Sequence, residues 1–260
     1  MVNNANDIKF RCSSLGHIMA NDRSGKNIGE GVYAHLVDIF ASAKYGRREE
    51  ITSKYLDKGH ACENDAITLL SRVTKTFYVK NDIRLTNDFV TGELDLFIGE
   101  KVDKAKETTD TKTSWSLHTF LRSKQKKLDI NYYWQGHGYM WLSGSKKHTV
   151  SYCLVNGTDT AIIDEKRKLS WSYGIDHDTN PEYVAKCKQI EINHIFDLAL
   201  FKKHYPFFQF HNDLSEWVYD IPKEERVHST SFEYSESEIF KLKSRIIDCR
   251  VWMNKELFKI

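Results

Sequence analysis

Proline is scarce: three occur in 260 residues, with 13 glycines. No tract is biased in composition, which excludes collagenous, linker-like and disordered chains. The five cysteines, Cys12, Cys62, Cys153, Cys187 and Cys249, are odd in number and far apart. With no C-x-x-C and no Cys/His ligand spacing, a disulfide scaffold, a zinc ribbon and a cysteine-ligated iron–sulfur cluster are disfavoured. No apolar run reaches the ~18 residues that span a bilayer, and the polar opening MVNNANDIKF is no secretory h-region. A cytoplasmic protein without a membrane partner is therefore expected. An excess of one charge is missing too: 38 Lys+Arg face 36 Asp+Glu, a net charge of +2. Any surface for a polyanion must be a local patch balanced by acidic residues elsewhere.

What is present is an ordinary globular composition, 40% apolar and 13% aromatic. A chain of this length buries roughly three-quarters of its unfolded surface and needs no staples. Residues 10–20 read as a helix capped by a serine pair, and 31–43 repeat the helical period. A longer helical pattern runs over 49–71. The period then changes: 77–85 and 89–98 alternate around a short polar turn and predict a β-hairpin. Threonines favour a strand at 108–114, two helices follow near 115–127 and 130–142, and 148–156 is another strand. The last third predicts helices near 160–172 and 182–204, a strand at 227–234 and a closing helix from 236. No internal repeat or linker divides the chain, so the order of elements predicts one α/β domain, a small mixed sheet flanked by helices.

The chemistry gathers around that sheet. Asp110 and Lys112 stand at i and i+2 and share a strand face, where Asp95 of the hairpin can meet them. Two carboxylates and a lysine at one sheet end suit a hard divalent cation and a group that orients water. Taken alone, D-x14-D-x-K is more often a solvated strand face. Glu63, four residues after Gly59 on one predicted helix, offers a third carboxylate, with the glycine allowing close approach. Gln135 lies on an otherwise aromatic and apolar helix, where an amide needs a partner.

The ordered set resembles the lambda-exonuclease, or YqaJ-type viral recombinase, branch of the PD-(D/E)xK nuclease superfamily. The motifs are R-x-S-S-L-G from Arg11, K-G-x3-E from Lys58, G-x-x-D from Gly92, D-x-K-T-S from Asp110 and Y-x-x-Q-x-H-x-Y-M-W from Tyr132. The resemblance covers about residues 10–156. It departs at Leu94, where the superfamily has proline, at Asp110, where glutamate is commoner, and at His137, where a second glutamine is usual. It implies a restriction-endonuclease-like core at 10–156 with a helical C-terminal extension at 157–260, together one nuclease domain. It implies that Asp95, Asp110 and the Thr111 carbonyl ligate Mg²⁺, for which Mn²⁺ substitutes, with Glu63 completing a second metal position. Lys112 would position or deprotonate the attacking water and Gln135 would orient water or phosphate. Arg11, Ser13 and Ser14 would take a terminal phosphate, with plain helix capping the even alternative.

The implied activity is hydrolysis from duplex DNA ends, 5′ to 3′, leaving single strands for an annealing protein. A ring-shaped homo-oligomer is implied as well, in a bacterial host's cytoplasm if the protein is phage-encoded. Arg122, Lys124, Lys126 and Lys127 form a basic cluster that could track the backbone, although such a cluster is more often a solvated helix face. An endonuclease on the same core and a non-catalytic DNA-binding module are the competing readings. The Ser24–Asn27 stretch lacks the glycine and the Ser/Thr of a phosphate loop. Asp176, His177 and Asp178 read as loop, 204–210 as aromatic core, and His17 and His60 as packing residues.

Overall fold

The computed structural model describes residues 2–25, 28–49, 53–173 and 180–259. The end of the Ser24–Asn27 stretch and the Asp176–Asp178 triplet lie outside them. The strands are β1 (Phe10–Arg11), β2 (Val79–Lys80), β3 (Leu85–Thr86), β4 (Val90–Gly92), β5 (Leu96–Ile98), β6 (Glu107–Thr113), β7 (Lys147–Cys153) and β8 (Val227–Glu233). The helices are α1 (Leu15–Ile18), α2 (Glu30–Tyr45), α3 (Lys54–Ala61), α4 (Glu63–Thr74), α5 (Leu117–Gln125), α6 (Ile130–Ser143), α7 (Asp159–Tyr173), α8 (Pro181–His194), α9 (Leu198–His204) and α10 (Glu236–Glu256).

Five strands form the central sheet in the order β2-β5-β6-β7-β8, and β1-β4-β3 form a smaller one. In the central sheet only β6 and β7 run parallel. A parallel pair requires a long crossover, which α5 and α6 supply. The mixed α/β sheet flanked by helices is thus the architecture the sequence predicts.

Four local expectations give way. The hairpin divides between the two sheets because the buried Asn81 side chain takes over the ladder's role: its amide donates to the Ile83 and Leu94 carbonyls at 2.8 and 3.0 Å, and its carbonyl accepts from Ile83 N at 3.1 Å. The helix expected over 49–71 breaks at Cys62, whose φ of −105° and ψ of 8° end α3 and restart the chain as α4 at Glu63. The helix expected over 10–20 shrinks to α1, because Phe10 and Arg11 pair with Val90 and Thr91. Ser14 makes no capping bond; its hydroxyl donates to the Arg11 carbonyl at 2.9 Å. The helix expected over 182–204 is interrupted where the Asn156 side-chain oxygen Oδ1 accepts from Phe196 N and Asp197 N at 2.8 and 3.0 Å. Asp197 then caps α9 by accepting from Leu200 N.

Helices cover both faces of the central sheet. α6 lies so close to one face that a Cβ on Gly136 would sit 2.3 Å from the His148 ring and 2.5 Å from Phe232. On the other face Ala66, Leu69 and Leu70 of α4 pack with Leu96, Cys153 and Val155. The C-terminal third is divided in its allegiance. Ile162, Ile195 and Phe201 build a cluster of their own, whereas Leu242, Ile246, Cys249 and Met253 of α10 return to the core of Phe10, Leu15 and Leu36. All five cysteines are buried. Among the described residues no helix is long and apolar enough to cross a membrane.

Candidate active site

Alternation along β6 separates its side chains by face. Thr108 meets His148, which lies under Gly136 of α6, so Asp110 and Lys112 face α6 as well. Thr113 and its β7 partner Cys153 face α4. Asp95 immediately precedes β5. The antiparallel register Leu96↔Thr109 brings it opposite Asp110. Its Oδ2 accepts from the Thr111 N–H at 3.0 Å and from the Thr111 hydroxyl at 3.3 Å. A residue's N–H and C=O point to the same edge of an extended strand. The Thr111 carbonyl therefore also faces the β5 edge, beyond the last ladder pair.

Asp110, 1% exposed, is ion-paired with Lys112. Burial pushes the Asp110 carboxyl up, but the adjacent Lys112 ammonium, together with His148 and Asp95, outweighs burial and holds it below the usual carboxylate range. Asp95 goes the other way: burial, then the Asp110 charge, raise it well above that range. Lys112 is raised despite its burial, because Asp110 and Asp95 both favour its charge. Two carboxyls pushed apart beside one cation show that negative charge is crowded at this point of the sheet.

The donor set fits a hard cation. The buried Asp110 Oδ1 has no hydrogen-bond partner, an arrangement that costs free energy unless a ligand completes it. Asp95, Asp110 and the Thr111 carbonyl offer oxygen only, as Mg²⁺ and Mn²⁺ prefer. Glu63 is not gathered with them. It pairs with Lys80 at 2.9 Å, and among the described residues no three His, Cys, Asp or Glu side chains converge on a metal position. Nor does Gly59 serve close approach, since a Cβ there would meet open space.

The buried Gln135 donates from Nε2 to the Tyr139 hydroxyl at 3.0 Å, and that hydroxyl donates to the Glu93 carbonyl at 3.1 Å. The amide is thereby tied to the turn that carries Asp95. His137 points instead into the core, 4.5 Å from the Tyr133 ring centroid, and burial drops it to about 4. Arg11 and Ser13 are exposed beside the half-buried Ser14 on the 3₁₀ turn Cys12–Ser14 and the strand before it. Arg122 and Lys124 end α5, where Lys124 turns to donate to the Glu225 carbonyl at 3.4 Å.

Three contributors escape a reading of the sequence. Lys58 is buried without a carboxylate and donates to the Ser114 and Trp115 carbonyls at 2.9 and 3.1 Å, pinning the chain just past β6; burial lowers it to about 8. It stands inside the K-G-x3-E motif, which was the available signal. The Tyr132 ring lies 4.6 Å beneath the Lys112 ammonium. His148, buried and lowered to about 4, supports β6 through the Thr108 hydroxyl at 2.9 Å.

No protein-family model matches the chain, and no curated protein sequence matches it. Solved structures do. A phage-related exonuclease from Haemophilus somnus 129PT superposes with a TM-score of 0.66 over 97% of this chain and 96% of its own, at 20% identity. The alkaline exonuclease LHK-Exo from Laribacter hongkongensis superposes with a TM-score of 0.58 over 95% and 89%, at 10% identity. The same enzyme in complex with dAMP gives 0.57 over 97% and 91%, at 11% identity. The chain shares the fold of these exonucleases from end to end.

Proposed function

We propose that the protein is a divalent-metal-dependent deoxyribonuclease, an exonuclease of the phage recombination type that hydrolyses duplex DNA from its ends, 5′ to 3′, as one nuclease domain. The observation that carries this reading is the meeting of Asp95, Asp110 and Lys112 at the end of β5 and the middle of β6, with a buried carboxylate oxygen left without a partner. The full-length likeness to exonuclease folds supports it.

Asp95, Asp110 and the Thr111 carbonyl would hold Mg²⁺ or Mn²⁺, and Glu63 could join once released from Lys80. A cation held there supplies Lewis acidity toward a water and the scissile phosphate. Lys112 keeps its proton and offsets the negative charge that grows on the phosphate during attack. Gln135 orients the water or a phosphate oxygen with the donor its bond to Tyr139 leaves over. Arg11, Ser13 and Ser14 would receive a terminal 5′-phosphate, and Arg122 would follow the backbone. A single strand left behind suits an annealing protein, and a ring of copies would enclose the duplex.

End-labelled linear duplexes bearing 5′-phosphate or 5′-hydroxyl, incubated with Mg²⁺ or with EDTA beside covalently closed circles, test the reading. Linear DNA is degraded only with the metal and the circles survive. Cleaved circles would establish an endonuclease, and binding without degradation a non-catalytic module.

A further inference from the structure

A surface cleft of about 350 Å³ opens between the end of α5, the start of α6 and β7, at the small end of the roughly 300–1,000 Å³ typical of ligand sites. Three cations line it, Arg122, Lys126 and Lys127, together with the carboxylate of Asp129. Asp129 is engaged in capping α6, accepting from Asn131 N at 2.8 Å. Among the described residues none of the three cations is held in an ion pair. The floor is aromatic. Tyr132 and Tyr152 meet edge to face with centroids 6.3 Å apart, and His228 lies nearly parallel to Tyr152 at 6.4 Å. Tyr152 is the β7 partner of Lys112, and the Lys112 ammonium stands over Tyr132. The cleft therefore continues the sheet face that carries Asp110 and Lys112.

We propose that this cleft is a subsite for one unstacked nucleotide of the DNA strand being cut, its base against Tyr132 and Tyr152 and its phosphate among Arg122, Lys126 and Lys127. The assignment rests on the nuclease reading and adds where the strand lies beside the reacting phosphate. Free cations around an aromatic floor match the two halves of a nucleotide, an anion and a flat π-face, and they tolerate any base because every base has that face.

The test is titration of the full chain, in EDTA, with the monophosphate of 2-aminopurine deoxynucleoside, whose fluorescence falls on stacking, beside the unphosphorylated nucleoside and inorganic phosphate. The monophosphate binds tightest of the three. Tyr152→Ala weakens it about 5- to 100-fold while Tyr152→Phe retains it. The double variant Lys126→Ala/Lys127→Ala, at exposed positions, weakens it and flattens its salt dependence. Wild-type affinity in both Tyr152→Ala and the double lysine variant overturns the subsite, as does inorganic phosphate binding as tightly as the nucleotide. Mg²⁺-dependent digestion of linear duplex by the same preparation separates the two failures: with digestion intact, indifference to these substitutions removes the subsite alone, and digestion absent from the wild type removes the nuclease reading.

Discussion

Lys112 serves three neighbours at once: the Asp110 carboxylate to which it is paired, the field of Asp95, and the Tyr132 ring beneath it. A protonated amine so strongly retained is better suited to stabilising charge than to accepting a proton, which favours the electrostatic role. Lys112→Ala is expected to lower the turnover of duplex DNA by about 10²–10³-fold with little change in DNA affinity, as the loss of one preorganised donor does. Asp110→Asn removes a carboxylate that would hold the metal, and with it the Mg²⁺-supported cleavage; cleavage rates and filter binding measured on the same variants check both. Equal activity in the two variants and the wild type would refute the site. Asp95 and Asp110 were legible because the i, i+2 rule and a neighbouring strand suffice to bring them together. The engagement of Glu63 by Lys80 was not, since it depends on the turn at Cys62 and on where β2 docks, both set by tertiary packing.

Among the elements, α6 shows how glycine can matter by opposite routes. Gly136→Ala would drive a methyl group into the His148 ring and Phe232, where the surrounding sheet cannot yield. Overpacking of this kind costs about 1–3 kcal/mol, and a lowered melting temperature would display it. Gly59→Ala in α3, facing open space, should instead raise stability by roughly 0.5–1 kcal/mol through helix propensity alone. A calorimetric scan of the two variants distinguishes a glycine kept for contact from one that is merely tolerated. The same elements mark the reach of pattern reading. α2, α6, β6 and β8 lie within a residue or two of their expected bounds, and β7 ends at Cys153, three residues short of its expected end; α2 is the clearest case, because it buries the single stripe Val32, Leu36 and Phe40. The hairpin, the N-terminal turn and the break between α8 and α9 escaped the pattern, because Asn81, Ser14 and Asn156 bind backbone groups that periodicity assigns to ladders and helices. Such bonds are made by single polar side chains and leave no repeat to read.

For the molecule as a whole, the buried imidazoles set the response to acid. His137, His148 and His194 are all lowered to about 4 by burial, from 6.5 in an open chain. Between those values the unfolded chain binds protons that the folded one refuses, so stability falls as pH falls from about 6.5 toward 4. A tenfold difference in proton affinity is worth about 1.4 kcal/mol, which makes each histidine responsible for up to roughly 3 kcal/mol. Thermal melts across that interval should show a steep decline, and His137→Gln, which places an uncharged amide there, should make it shallower. A wild-type profile flat down to pH 4.5 would contradict the burial of these rings.

The bond from the Thr111 amide to the Asp95 carboxylate has a practical corollary. Two residues before Thr111, the Thr109 amide faces the same edge but is shielded by β5, and its exchange with deuterium requires the sheet to open. The Thr111 proton is guarded by a side chain alone, the very one a cation would recruit. Its exchange rate is thus a built-in gauge of occupancy: Mg²⁺ added without DNA should alter that amide while Thr109 keeps its pace.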